Sequence, residues 1–268
     1  MGKRRLDMLL VERGLAEAPE MARALVMAGA VAVGGRPVLK AGTLVDEAAD
    51  LVVAAEERYA SRGGGKLEHA LSAFGIDVSG LVAADIGAST GGFTDCLLQH
   101  GAARVYAIDV GRGQLDYRLR QDPRVVVMEG MNARYLEGLP EPVDLVTADV
   151  SFISLRLVLP VAARLLREGE ASVAPIAGAR RGARPCAPTI IALFKPQYEA
   201  KKEEVSRGGV VRDPLLHATL IGRFAAWCVA SGFRILGLTS SPLLGPAGNR
   251  EFFFLLKPSS SFLLPPSP

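Results

Sequence analysis

The stretch A83-A-D-I-G-A-S-T-G-G-F-T-D95 decides the fold. An apolar run ends at Asp85, a glycine-rich turn follows, and a helical pattern starts near Gly92. Strand, tight turn and helix in that order open a parallel α/β unit. Gly87, Gly91 and Gly92 let the backbone approach a ligand closely. The turn departs from the dinucleotide fingerprint G-x-G-x-x-G, because Ser89 stands where the second glycine belongs.

Outward from this turn, residues 61–257 alternate strand-like and helix-like segments, which predicts a mostly parallel sheet with crossover helices. The expected strands are 81–86, 104–109, 124–128, 143–149, 189–194, 233–239 and 251–257, seven in all. The expected helices are 66–74, 92–100, 154–167 and 214–231. The strands are rich in Val, Ile, Leu and Phe, as sheets covered on both faces require.

Polar residues fall at the strand ends. Asp109 closes V-Y-A-I-D, where a carboxylate can accept both hydroxyl protons of a ribose. Asn132 follows the third strand, as an adenine-edge contact or a turn cap. Lys66 opens a helix after S-R-G-G-G, Asp149 ends the fourth strand and Lys195 ends the fifth. Ligands of open α/β sheets sit beyond the carboxyl ends of the strands. An antiparallel last strand would bring its first residue, Glu251, to the same edge.

Upstream, residues 1–59 read as a separate small unit. Arg5–Arg13 has apolar residues at 6, 9 and 10, a helical spacing that Gly14 can cap. In a second helix from Pro19, Met21, Ala24, Leu25 and Ala28 are expected to share the buried face. V-A-V-G-G-R-P-V-L then predicts a hairpin around Gly34-Gly35, and Thr43–Val53 a further extended run. Residues 169–188 are an Ala/Pro/Gly/Arg-rich connection of unusual length, either an insertion or an added RNA contact through Arg180, Arg181 and Arg184. The Pro/Ser-rich tail, 258–268, is expected to be disordered.

Composition bounds the function classes. With 49% apolar and 22% charged residues, the 268-residue chain has material for a core, which excludes wholesale disorder. Cys96, Cys186 and Cys228 lack CxxC spacing, so neither structural zinc nor a disulfide scaffold is expected. The basic start is interrupted by Asp7 and Glu12, unlike a signal peptide. The longest uncharged, mostly apolar stretch, Ala24–Gly35, is too short for a spanning helix, which needs about 20 residues. A cytoplasmic protein without membrane insertion is the expectation. Net charge is +3, but residues 1–40 hold seven Lys/Arg against four acids, and residues 41–58 hold one against five.

Both parts resemble known families. R-x-D at 5–7, R-G-L at 13–15, M-A-R-A-L-V at 21–26 and G-A-V-A-V-G-G at 29–35 resemble the S4 RNA-binding module, although Ala18-Pro19-Glu20 replaces its usual Ser-Arg. The resemblance implies phosphate contacts by Arg4, Arg5, Arg23 and Lys40, with Arg62 a further RNA candidate at the start of the second domain. The glycine turn resembles the first motif of S-adenosylmethionine (SAM) methyltransferases. That makes Asp85, Gly87, Ser89, Thr90, Gly91, Gly92, Phe93, Asp109 and Asn132 the candidate SAM contacts. S-R-G-G-G-K-L, D-V-S-F-I-S, L-F-K-P-Q-Y-E and G-G-V-V-R-D-P resemble the FtsJ-type ribose 2′-O-methyltransferases, whose Lys-Asp-Lys-Glu tetrad lands on Lys66, Asp149, Lys195 and Glu251.

An S4 module ahead of such a domain resembles the TlyA family, ribosomal RNA cytidine 2′-O-methyltransferases also labelled haemolysins. The implied architecture is a Rossmann-like methyltransferase domain over 60–257, preceded by a small α+β domain over 1–59. The implied partners are ribosomal RNA and ribosomal subunits, with no metal and no membrane, and oligomeric state is left open. In the implied chemistry, Lys195 takes the proton of a ribose 2′-hydroxyl, with Lys66 supplying nearby positive charge. Asp149 orients Lys195, and Glu251 positions Lys66 or the ribose. The rival readings are a catalytically idle RNA-binding assembly factor, a membrane-active haemolysin, and a small-molecule or protein methyltransferase.

Overall fold

The computed structural model describes residues 2–53, 58–167, 188–205 and 208–259. The chain forms two compact units, Met1–Glu57 and Arg58–Pro268.

The first unit runs β1 (Lys3–Arg5), α1 (Leu6–Glu12), α2 (Pro19–Met27), β2 (Val31–Val33), β3 (Arg36–Pro37), β4 (Leu44–Asp46) and β5 (Leu51–Val53). Strand β1 pairs with β4, and β2 lies between β3 and β5, all antiparallel. Leu6, Leu9 and Leu10 of α1 are buried, as their spacing predicts. Gly34 and Gly35 both adopt positive φ, the backbone a two-residue hairpin turn needs.

Two expectations in this unit are corrected. The buried face of α2 is Ala22 and Val26, while Met21 is 44% exposed. In a nine-residue helix rich in Ala and Met, several phases of the apolar stripe look alike. Thr43–Val53 is two strands in two sheets, because the Asp46 carboxylate accepts the Ala48 N–H at 2.8 Å and turns the chain.

The second unit runs α3 (Gly63–Phe74), β6 (Val82–Ile86), α4 (Gly92–Gln99), β7 (Arg104–Asp109), α5 (Tyr117–Gln121), β8 (Val125–Glu129), β9 (Leu145–Ala148), α6 (Leu159–Leu165), β10 (Thr189–Phe194), α7 (Pro196–Glu199), α8 (Pro214–Ala230), β11 (Phe233–Ser240) and β12 (Phe252–Pro258). Its seven-stranded sheet has the order β11-β12-β10-β9-β6-β7-β8. All pairings are parallel except those of β12, which runs antiparallel to both β10 and β11.

The strands bury both faces. Ala84, Ile86, Val146, Ala148, Ile190, Ala192 and Phe194 face one core, with α6 and α8. Ala83, Leu145, Ile191, Leu193 and Phe253 face the other, with α3 and α4. The period-two alternation of each strand therefore feeds two cores.

The helix expected over 154–167 is broken. A 3₁₀ turn at Leu155–Leu157 precedes α6, and Pro160 at the start of α6 makes that helix begin anew. Helix α3 begins at Gly63, three residues before Lys66. The 169–188 connection, apart from Pro188, and the tail after Ser259 lie outside the described residues.

Candidate active site

Sheet register assembles the site. Ile86 pairs with Ala148, so Gly87 and Asp149 emerge side by side. Phe194 pairs with Phe252, so Lys195 leaves β10 where Glu251 enters β12. Gly87 has φ +86, and an added Cβ would overlap the Asp149 carbonyl oxygen. Only glycine lets the two strand ends come this close. Gly92 does the same for helices: a Cβ there would meet the Ser61 hydroxyl and the Gly64 backbone. The glycine-rich start of α3 thus lies directly on the start of α4, which sets where Lys66 points.

Two adjoining cavities open along this edge. The first, about 490 Å³, is lined by Gly87, Ser89, Asp109, Asn132, Asp149 and an apolar wall including Ile86, Ile108, Met131 and Ile153. The second, about 450 Å³, is lined by Arg62, Lys66, Ser89, Thr90, Phe93, Asp149, Phe152, Lys195, Tyr198 and Glu251, among others. Gly87, Ser89, Asp149, Ser151 and Phe152 belong to both walls.

In the first cavity the Asp109 carboxylate accepts the Ser89 N–H at 2.8 Å and the Gly111 N–H at 2.7 Å. It therefore fixes the glycine turn while keeping lone pairs for further donors. The Asn132 side-chain oxygen accepts the Arg134 N–H at 3.1 Å, so this residue caps a 3₁₀ turn and lines the cavity. An apolar slot with a carboxylate at a strand end suits a nucleoside, and the size is that of a small-molecule site.

Asp85 is corrected. It is fully buried beneath the turn, and Thr94 and Thr147 donate to its two oxygens at 2.7 and 2.9 Å. It braces α4 and β9 and lines neither cavity. Gly91 also lines neither cavity, packing against Leu119 and Leu115 instead.

Burial pushes the Asp85 carboxyl up to about 7, against the two hydroxyl donors. A carboxyl raised above its ordinary 3.8 stabilises the fold most below that value, and the contribution fades as pH rises through about 7. Asp85→Asn removes the dependence. The variant should therefore gain urea midpoint relative to the parent between pH 5 and pH 8, and parallel pH profiles would show that Asp85 does not titrate in that range.

At the junction of the cavities, Lys195 Nζ lies 2.7 Å from Asp149 Oδ1 and donates to Ser151 Oγ at 2.8 Å. Lys66 Nζ donates to Glu251 Oε2 at 2.6 Å, with both side chains buried. The four residues come together as two ion pairs. Glu251 holds Lys66 and balances its charge. Ser151 and Phe152, which the sequence did not single out, line both cavities. Phe152 is 90% exposed, at the unusual φ of +65.

The RNA candidates of the first unit are held by carboxylates. Arg5 donates to buried Asp7 at 3.0 and 2.7 Å, and Arg23 lies 3.8 Å from the same group. Arg4 pairs with Glu12 and Glu47 at 2.8 and 2.9 Å. Arg4, Arg5 and Arg23 keep side-chain exposures of 51, 56 and 52%, so their guanidinium groups are oriented without being hidden. Lys40 lies at the surface of this unit.

Among the described residues, no helix is long and apolar enough to cross a membrane. Among the same residues, no group of three or more His, Cys, Asp or Glu could hold a metal ion.

Comparison with known proteins gives the same two parts. The FtsJ-like methyltransferase model matches residues 59–257, and the S4 domain model matches residues 4–51. The 16S/23S rRNA (cytidine-2′-O)-methyltransferase TlyA of Mycobacterium tuberculosis is 45% identical over 94% of this chain and 89% of its own length. Hemolysin A of Brachyspira hyodysenteriae is 37% identical over 92% of this chain and 97% of its own length. A solved structure of a hemolysin candidate from Streptococcus thermophilus superposes with a TM-score of 0.70 at 41% identity, over 97% of this chain and 90% of that one.

Proposed function

Because the chain belongs to the FtsJ-like methyltransferase family and carries an S4 domain ahead of that domain, we propose that it is a SAM-dependent ribosomal RNA (cytidine-2′-O)-methyltransferase. The observation that carries this reading is the pair of adjoining cavities with Lys195 and Asp149 at their junction. One cavity suits the nucleoside of the cofactor, the other a ribose acceptor. The cytidine target is supported by the relative from Mycobacterium tuberculosis. A ribosomal RNA partner supports a cytoplasmic location.

When bound, SAM supplies an electrophilic methyl carbon on a sulfonium. Asp109 would accept hydrogen bonds from the hydroxyls of its ribose, and the backbone of the Gly87–Gly92 turn would hold its amino-acid end. Lys195 Nζ, in its neutral form after giving its extra proton to solvent, takes the proton of the incoming ribose 2′-hydroxyl, whose oxygen is a poor nucleophile while protonated. Asp149 and Ser151 hold the lysine at the junction. The Lys66–Glu251 pair shapes the acceptor cavity, and rate comes largely from alignment of the reacting groups. The S4 domain grips phosphates without reading sequence, through contacts that weaken with salt.

The direct test is to map 2′-O-methyl marks on ribosomal RNA after incubation of subunits with the protein and SAM. Marks on cytidine that vanish in Lys195→Ala support the reading, and marks on bases or on no RNA overturn it. A second check concerns the cofactor. Asp109→Ala should weaken SAM binding at least about tenfold by calorimetry, since a charged hydrogen-bonding partner contributes roughly 1.5–3 kcal/mol. Unchanged affinity would remove Asp109 from the ribose site.

A further inference from the structure

The loop after β9 carries Asp149, Ser151 and Phe152, and its neighbour α7 begins directly after Lys195. The two segments touch through hydrogen-bonding groups at either end and, between these, through the rings of Phe152 and Tyr198, whose centroids lie 5.4 Å apart. At one end stands the Lys195 contact with Asp149 and Ser151. At the other stands Glu199, the last residue of α7, whose carboxylate is only 3% exposed. Its Oε2 accepts the Ser154 hydroxyl at 2.7 Å, and its Oε1 accepts the Leu155 N–H at 2.7 Å. Arg156 lies farther off, with Nε at 3.6 Å.

Burying a carboxylate this deeply is costly unless donors hold it, and two short hydrogen bonds do so here. Burial pushes the Glu199 carboxyl above its ordinary range, and the Ser154 and Leu155 donors oppose that shift. Between the two contact points lies Phe152, whose positive φ is unfavourable for a side chain of its size. A strained residue of this kind persists only where its surroundings over-determine it.

We propose that Glu199 is a positioning residue for the reaction: it clamps the far end of the Asp149–Leu155 loop to α7, so that Asp149 and Ser151 are held at fixed distance from Lys195. The proposal rests on the reading of Lys195 as the proton acceptor. Glu199 touches neither cavity wall and acts only through the loop. Four residues of one segment and five of the other close a small ring, so a shift at Ser154 is passed to Asp149 with little slack.

Two variants of the full-length protein test this. In Glu199→Gln, the amide oxygen can accept the Leu155 N–H, and the amide nitrogen can donate to Ser154. In Glu199→Ala both contacts are lost. Misplacement of catalytic groups by about 1 Å costs roughly 100-fold. The alanine variant should therefore lose about 10- to 100-fold in kcat, with KM for RNA and Kd for SAM within about threefold of the parent. The glutamine variant should restore kcat to within about threefold of the parent.

Amide hydrogen exchange at 150–156 gives a readout that needs no RNA: it should quicken at Leu155 in the alanine variant and stay slow in the glutamine variant. Parent-like kcat in the alanine variant overturns the proposal. So does equal loss in both variants, or loss that follows SAM affinity or melting temperature alone. If the parent itself methylates no RNA, the function fails, and the exchange data still decide whether Glu199 is the clamp.

Discussion

Replacing Lys195 with alanine should lower the rate of methyl transfer by about 10²–10⁴-fold, the usual contribution of a positioned proton acceptor. SAM affinity should hardly change. The argument is one of placement. Lys195 Nζ sits at the junction of the cavities, 2.7 Å from Asp149 and 2.8 Å from Ser151, with its side chain only 11% exposed.

An arginine at the same position separates charge from proton transfer. It keeps the ion pair with Asp149 but cannot be deprotonated at working pH. If Lys195 serves only as a cation, Lys195→Arg should retain much of the rate. If it accepts the proton, arginine should be nearly as poor as alanine. Single-turnover rates at saturating SAM make the comparison, and an alanine variant within tenfold of the parent would take the proton transfer away from Lys195.

The second large effect concerns stability. Glu251 is 1% exposed, and its partner Lys66 is 8% exposed. Glu251→Ala leaves a buried ammonium without its counter-charge, and breaking a buried pair in this way costs roughly 3–5 kcal/mol. For a unit of this size each kcal/mol shifts the midpoint by roughly 2–4 °C, so thermal unfolding should start about 10 °C lower.

The double variant Lys66→Met/Glu251→Leu should recover most of that loss, because apolar replacement of a buried pair is often neutral or stabilising. It should not recover activity. That combination, stable and inactive, would assign the pair to the acceptor cavity rather than to the fold. A single alanine variant that melts with the parent would show that Lys66 finds water or another partner.

The sheet and the polar residues along its edge were legible because both rest on period-two patterning and on the rule that sites lie at strand ends. The Val, Ile and Phe runs locate the strands, and the strand ends then nominate Asp109, Asp149, Lys195 and Glu251. Helices α5 and α7 were not legible, since five and four residues are too few for a helical period to register.

Asp85 shows a second limit. Its place at the end of a strand suggested contact with the cofactor, but sequence does not give depth, and two threonines from distant segments enclose it. Glu199 shows a third. In L-F-K-P-Q-Y-E nothing singles it out, and its contacts appear only when Ser154 and Leu155 are brought beside it. Asp149 was expected beside Lys195, whereas Glu251 was open between Lys66 and the ribose, and in the structure it pairs with Lys66.

The antiparallel entry of β12 also has a consequence in time. Lys66 and Glu251 are 185 residues apart, and the strand that brings them together is the last of the sheet. During synthesis, which adds about 5–20 residues per second, Lys66 emerges many seconds before its partner exists. The cofactor half of the domain, from β6 to β9, can pair while the acceptor cavity still lacks a wall. A nascent chain would thus complete the walls of the first cavity well before those of the second.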